Sequence, residues 1–272
     1  MITSIASDLD GTLLNPNGCL SEFTIKTLQT LHNDGVNIVI ATGRLYSDAL
    51  RVIRPLNFTP AIISCNGAML NDSGLNNSDL IAAFYINKLV VANVARYASK
   101  EKLHATFFSN GLWYVIEENP RHVEYIRMSG LVGIKMELNV ILKLDINKIL
   151  LNAELESVYF HNNYIRSLFG NDSSVCKTSD TDIEIMPKKV NKSTALKHYL
   201  QHTGHDLNHC IAFGDALNDF EMLSIVSEGV LMGNAKENIV NLLPDINKAR
   251  SNKHDGVACY LADRFSLTAV PS

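Results

Sequence analysis

"IASDLDGTLL", residues 5–14, runs an apolar stretch into two carboxylates one residue apart. Asp8 and Asp10 flank Leu9 and lead straight into Gly11 and Thr12. Like charges this close repel, and one of them is driven to protonate unless something neutralises the pair. One reading is a strand end running into a polar turn. The sharper one is a site built around a cation. Residues two apart on an extended chain point to the same side of a sheet, so the spacing sets both carboxylates on one side.

The neighbouring segments repeat a strand–helix rhythm. "SEFTIKTLQTLHNDG" follows, with Ser21 as N-cap, Phe23, Ile25, Leu28 and Leu31 at helical spacing and Gly35 as the stop. "VNIVIATG" is a near-continuous apolar run, as in a strand buried on both faces of a parallel sheet. A helix over about Tyr46–Arg54, closed by Pro55, and a third strand "AIISCNG" come next. Such alternation means right-handed βαβ units and a doubly wound sheet.

The rhythm changes in the middle of the chain. A helix over about Lys88–Glu101 precedes "LHATFFSNGLWYVIEE", two β-runs joined at Asn110-Gly111, a strong hairpin signal. A strand "KILLNA", a helix around "SVYFHNNYIRSLF" and two strands ending in "DIEIMP" complete an α+β module. The alternation then resumes: helix "NKSTALKHYLQHTG", buried strand "HCIAFGD", helix "NDFEMLSIV", strand "EGVLMG", and a helix "KENIVNLL" before Pro244. The fold expected is α/β: one doubly wound domain from residues 1–83 and 187–272, with a second, α+β domain inserted at 84–186.

Composition narrows the function. With 46% hydrophobic and 19% charged residues the chain has the balance of a folded domain rather than a disordered one. A net charge of −4 offers no electrostatic reason for a nucleic-acid or anionic-membrane partner. Cys19, Cys65, Cys176, Cys210 and Cys259 are scattered and show no metal or redox spacing. Neither a signal peptide nor an apolar run long enough to cross a bilayer is visible. These features set the expectation of a cytoplasmic protein.

In an open parallel sheet, ligands bind beyond the carboxyl ends of the strands. Four such ends are loaded with polar residues: 8–12, Thr42-Gly43-Arg44, Ser64-Cys65-Asn66-Gly67, and Gly214-Asp215 through Asn218-Asp219. Asp215 adds a third carboxylate to the first pair. Hard oxygen donors without Cys or His select Mg²⁺, which favours one or two carboxylates together with waters and a phosphate. A cation lets adjacent carboxylates stay ionised. Thr42 and the Gly43 amide lie where a strand enters a helix, a natural anion cradle.

With these motifs in order, the chain resembles the haloacid dehalogenase superfamily, specifically the Cof-type (class IIB, C2-capped) phosphatases. "DLDGTLL" at 8–14 matches the nucleophile motif, "TGR" at 42–44 the second motif, Lys192 in "NKSTAL" the lysine motif, and "GDALNDFEML" at 214–223 the acidic motif. "CNGA", "MGNA" and "DGVACYL" extend the match across the core, whereas the inserted region matches in position and αββ character. One departure is Ser193, where the family has glycine; Lys188 and Lys189 stand nearby.

The resemblance implies a phosphoric monoester hydrolase. Asp8 is the nucleophile that forms an aspartyl-phosphate, and Asp10 protonates the leaving oxygen and then accepts a proton from water. Asp8, the Asp10 main-chain carbonyl and Asp215 hold Mg²⁺. The Leu9 amide, Thr42, Gly43, Lys192 and Asn218 hold the phosphate, with Asp219 supporting Lys192 or the metal's waters. Outside the resemblance, Arg44 either opens its helix electrostatically or pairs with a structural carboxylate, and Asn66 orients a ligand or caps a turn, its strand-end position favouring the site. The inserted domain is a cap that closes over the site. Its alternating Phe107, Phe108, Trp113 and Tyr114 are expected to pack on the cap's own helices, with ring stacking on a substrate the lesser reading. The partner implied is a small phosphorylated metabolite (a sugar phosphate, pyridoxal phosphate or a pyrimidine cofactor precursor), with the chain a monomer or weak homo-oligomer. The alternatives are a phosphotransferase or phosphomutase on sugar phosphates, and a non-catalytic phospho-accepting module.

Overall fold

The structure is a computed structural model describing residues 1–72, 80–118 and 132–267. By contacts the chain divides into two units, one of residues 1–81 and 191–272, the other of residues 82–190.

Strand β1 (Ser4–Ser7) is fully buried. It is followed by a wide helical turn over Leu9–Leu13, with Gly11 at φ +81°. Helix α1 (Glu22–Asn33) starts where Ser21 Oγ accepts the Thr24 amide at 3.0 Å, satisfying a donor that the first turn leaves unpaired. Strand β2 (Asn37–Ala41), helix α2 (Tyr46–Ile53), strand β3 (Ala61–Ser64) and short strands β4 (Met69–Asn71) and β5 (Leu80–Ala83) follow.

The inserted unit contributes helix α3 (Lys88–Lys100), strands β6 (His104–Ser109), β7 (Leu112–Val115), β8 (Ile134–Lys135) and β9 (Lys148–Asn152), helix α4 (Val158–Phe169), and strands β10 (Ser173–Lys177) and β11 (Asp182–Pro187). Its strands order as β10-β11-β9-β6-β7-β8. The hairpin turns at Asn110-Gly111, and Phe107 pairs with Tyr114 and Phe108 with Trp113. All four aromatics are buried. Phe107 and Tyr114 share a core with Val91 and Val94 of α3 and Ile165 of α4. The adjacent positions, Phe108 and Trp113, lie on the other face, where Lys148 Nζ stands 4.8 Å from the Phe108 ring centre.

The chain returns with helix α5 (Lys192–His202), strand β12 (Cys210–Gly214), helix α6 (Phe220–Ile225), strands β13 (Glu228–Leu231) and β14 (Asn247–Lys248), and helix α7 (Gly256–Arg264). The eight-stranded sheet runs β14-β13-β12-β1-β2-β3-β4-β5, with β1 parallel to both β2 and β12. This is the doubly wound sheet expected, with β1 at its centre. Ile5, Ile38, Ile40, Ile62, Ile211 and Phe213 pack in one cluster with Leu28 and Leu31 of α1 and Val257 and Leu261 of α7. Helices α5 and α6 contact the sheet through β3, β4, β12 and β13. Each fully buried Ile or Leu contributes roughly 1.5–3 kcal/mol.

Two local expectations change. In "KENIVNLL" only Glu237–Val240 is helical, and Ile239 is its single buried residue; one apolar anchor cannot offset the cost of a longer helix. The sheet also gains an antiparallel neighbour, β4, beside β3. No helix among the described residues is long and apolar enough to cross a membrane.

Candidate active site

The opening stretch does not keep its two carboxylates together. The strand ends at Ser7, and Asp10 (φ −78°, ψ 118°) lies inside the following turn. The expectation that both side chains share one side of an extended strand is therefore corrected. Asp8 turns inward and is buried, whereas the Asp10 side chain is 57% exposed. Each finds its own cation. Lys192 Nζ donates to Asp8 Oδ1 at 2.6 Å. Arg44 clasps Asp10 through two parallel bonds, Nε to Oδ2 at 2.7 Å and Nη2 to Oδ1 at 2.6 Å. Such a fork is the strong form of a charge-assisted contact.

Lys192 is placed by a helix start. Asn191 caps α5: its side chain accepts the Thr194 amide, and the Thr194 hydroxyl accepts the Asn191 amide. Lys192 and Ser193 are then the first two helical residues. Ser193 is a buried helical residue without positive φ, so the backbone here does not require glycine after the lysine. Lys188 is occupied elsewhere, donating to the Gly170 carbonyl, and Lys189 lies outside the helix at φ +61°. Lys192 itself is fully buried and also donates to Asp219 Oδ1 at 2.7 Å. Two of its three N–H donors are thus committed.

Asp219 is held from both sides. Its Oδ2 accepts the amides of Asp215 and Ala216, each at 3.0 Å. Gly214 permits this approach, since a Cβ there would lie 2.4 Å from the Asp219 Cβ. The same tightening aims Asp215 back at the first loop, where its Oδ1 accepts the Thr12 hydroxyl at 3.2 Å.

Asp8, Asp215 and Asp219 each offer an oxygen within 4.8 Å of the others, an arrangement that could hold a metal ion. The Asp10 carboxylate is not among them; the resemblance assigned metal binding there to its main-chain carbonyl. Burial, reinforced by Asp219 and Asp215 and opposed by Lys192, pushes the Asp8 carboxyl up to about 7. Burial and Asp219 push Asp215 up to about 6. For Lys192, burial works against the charge, but Asp219 and Asp8 outweigh it and hold its pKa above the usual lysine value. Two buried carboxyls raised this way mark a site short of positive charge. The donor set is all oxygen, as Mg²⁺ requires. Gly11 adds room, since a Cβ there would stand 2.5 Å from Asp215 Oδ2.

The other strand ends close around this cluster. Thr42 is buried, and its hydroxyl accepts the Arg44 amide at 3.1 Å. The loop after β3 is tied to it by backbone bonds, from Cys65 N to Arg44 O and from Asn66 N to Thr42 O, both 2.9 Å. Cys65, Asn66 and Gly67 all have positive φ, and Gly67 lets the loop approach the Asn191 carbonyl, which a Cβ would meet at 2.3 Å. Asn66 Oδ1 accepts from Asn218 Nδ2 at 3.1 Å and would lie 3.1 Å from a Cβ at Gly43. Leu9, which opens the first turn, is buried. Of the expected residues, Asp8, Asp215, Asp219 and Lys192 meet in one cluster, Asp10 pairs with Arg44, and Asn218 bonds Asn66.

Three contributors were not singled out from the sequence. Thr12 orients Asp215. Asn234 donates to the Gly11 carbonyl at 2.7 Å and accepts the Asn252 amide at 2.8 Å; its stretch "MGNA" was the available signal. Asp48 meets Arg44 at 3.1 Å. Only its helical i, i+4 spacing hinted at that.

Comparisons with known proteins identify the family. The haloacid dehalogenase-like hydrolase family matches residues 5–261. A Buchnera aphidicola (subsp. Baizongia pistaciae) protein bearing a provisional phosphatase name is 33% identical over 259 residues, covering 94% of this chain and 96% of its own. The HMP-PP phosphatase of Cronobacter sakazakii is 28% identical over 258 residues, with 94% and 93% covered. Among solved structures, a sugar phosphatase of subclass IIB superposes with a TM-score of 0.83 at 20% identity, covering 97% of this chain and 99% of the other; that likeness concerns the fold. On the extent of the family match and the 33% relative, this chain belongs to the haloacid dehalogenase-like hydrolases.

Proposed function

We propose that the protein is a Mg²⁺-dependent phosphatase of small phosphomonoesters that works through an aspartyl-phosphate on Asp8. The observation that carries this reading is the buried Asp8 carboxylate beside Lys192 and Asp215, with Asp10 two residues away on a separate cation. An Asp8 oxygen attacks phosphorus, the phosphorus–ester oxygen bond breaks, and the leaving oxygen takes a proton from Asp10, which enters the step as the neutral acid and leaves it as the carboxylate that Arg44 holds. Water then attacks the acyl phosphate, gives a proton back to Asp10, and releases phosphate with the Asp8 carboxylate restored.

Lys192 spends its third donor on the phosphoryl oxygens, and the Thr42 hydroxyl with the Gly43 and Leu9 amides completes the cradle, with Asn218 touching it. In phosphoryl transfer, spreading the developing charge over donors already fixed in place supplies most of the acceleration. Asp8, Asp215 and the Asp10 carbonyl would hold Mg²⁺, which shields the phosphoryl charge from the attacking carboxylate. Asp219 holds Lys192, and Asn66 steadies Asn218. The inserted unit is read as a cap that sets specificity. The HMP-PP phosphatase relative and the sugar phosphatase of like fold support a small phosphorylated metabolite as substrate.

The test is a panel of phosphate esters assayed with Mg²⁺ and with EDTA, with and without an acceptor sugar. Phosphate release that needs Mg²⁺ and no acceptor supports the reading; release only to an acceptor makes the protein a phosphotransferase. Wild-type turnover in Asp8→Asn overturns it.

A further inference from the structure

Arg44 is gripped unequally at its two ends. Its backbone is pinned, the amide on Thr42 Oγ1 at 3.1 Å and the carbonyl under the Cys65 amide at 2.9 Å. One edge of the guanidinium, Nη1, donates to Asp48 Oδ2 at 3.1 Å. The opposite edge, Nε and Nη2, carries the fork to Asp10. Asp48 is 3% exposed, lies in the first turn of α2, and binds Arg51 Nη2 through its other oxygen at 3.0 Å. Asp10, by contrast, stands on a turn with its side chain 57% exposed.

A planar guanidinium fixed along one edge presents the other edge in one direction. An exposed aspartate on a turn has several rotamers open to it, and a rigid fork selects one. Asp48 is the buried partner with both oxygens bonded and Asp10 the exposed one, so orientation runs from Asp48 through Arg44 to Asp10. We infer that Asp48 is a positioning residue for the reaction, holding Arg44 so that the Asp10 carboxyl, the neutral acid before it gives up its proton and the carboxylate in the fork afterwards, is aimed for proton transfer. The inference rests on the reading of Asp10 as the proton carrier. It asks nothing of Asp48 beyond charge and shape, since the side chain touches neither Asp8 nor Asp215 among the described contacts. Misaiming a proton donor costs most when the leaving oxygen needs the proton, and little when the leaving group is already a stable anion.

The experiment compares kcat/KM for an alkyl phosphate, such as a sugar phosphate, with that for p-nitrophenyl phosphate. Asp48→Asn keeps the shape but serves only one of the two arginines. It is expected to lower kcat/KM for the alkyl ester about tenfold, a fraction of the total worth of a general acid, and to change the aryl ester less than about twofold. Asp48→Glu restores part of the loss, and Arg44→Lys, which keeps the cation without the fork, reproduces it. An equal fall on both esters, or none on either, overturns the inference. Asp10→Asn separates the two layers. If it selectively loses the alkyl ester while Asp48→Asn does not, Asp10 keeps its role and only the inference falls. If Asp10→Asn retains the alkyl rate, the reading beneath falls as well.

Discussion

Lys192 Nζ lies 2.6 Å from Asp8 Oδ1 across 184 positions of sequence, and 2.7 Å from Asp219 Oδ1. One buried ammonium thus ties the end of β1 to the turn that follows β12. Removing one member of a buried charged group leaves its partners uncompensated. Lys192→Met is expected to abolish turnover and to lower stability by about 3 kcal/mol near neutral pH. Denaturant melts at pH 8 and pH 5 check this. The loss is to be smaller at pH 5, where Asp8 protonates instead of remaining as a stranded charge.

The raised carboxyls set a pH dependence with a definite sign. Asp8, up at about 7, and Asp215, up at about 6, hold protons in the folded state that the unfolded chain has already released. Between the ordinary aspartate value and these values the folded state binds more protons, so stability falls as pH rises. In EDTA, thermal melts should therefore show stability declining from about pH 4 to about pH 7 and levelling off above. Mg²⁺ is to flatten the decline, because a bound cation stabilises the ionised forms. A flat EDTA profile over that window refutes the electrostatic account.

Gly11 holds the first turn at φ +81° directly over Asp215. Gly11→Ala adds strain in the left-handed region, about 1–2 kcal/mol, and a Cβ that displaces the Asp215 carboxylate. Calorimetric titration with Mg²⁺ should show weakened binding together with lost turnover. Unchanged Mg²⁺ affinity in a folded variant places the cation elsewhere.

Asn66, at φ 52°, combines a left-handed backbone with a side-chain bond to Asn218. Asn66→Gly relieves the backbone and removes the bond, whereas Asn66→Ala removes the bond and strains the backbone by about 1 kcal/mol. Both should lower kcat several-fold, and only the alanine variant should lose thermal stability. Equal melting of the two would assign the residue's value to its side chain alone.

Much of this molecule is legible along the chain because the relevant physics is local. The apolar run of β2 reports burial on both faces, Ser21 reports a helix start, and Asn110-Gly111 reports a hairpin; in each case the decisive contacts lie within a few residues. The loading of four strand ends with Asp, Thr, Gly and Asn is likewise legible as a polar edge of the sheet where a ligand would bind. Where local logic met a competing long-range contact it failed. Asp8 and Asp10 share a spacing that suggests a common side, yet they part because Lys192 and Arg44, far apart in the chain, draw them in different directions.

Residue type and order alone determined which elements form and which chemistry gathers at their ends, since hydrophobic period, caps and turn residues act over short range. The division of the two carboxylates between two cations, the clamp of Asp219 on Lys192 and the backing of Arg44 by Asp48 were decided only in three dimensions. Charges interact through space, at distances that sequence separation does not encode.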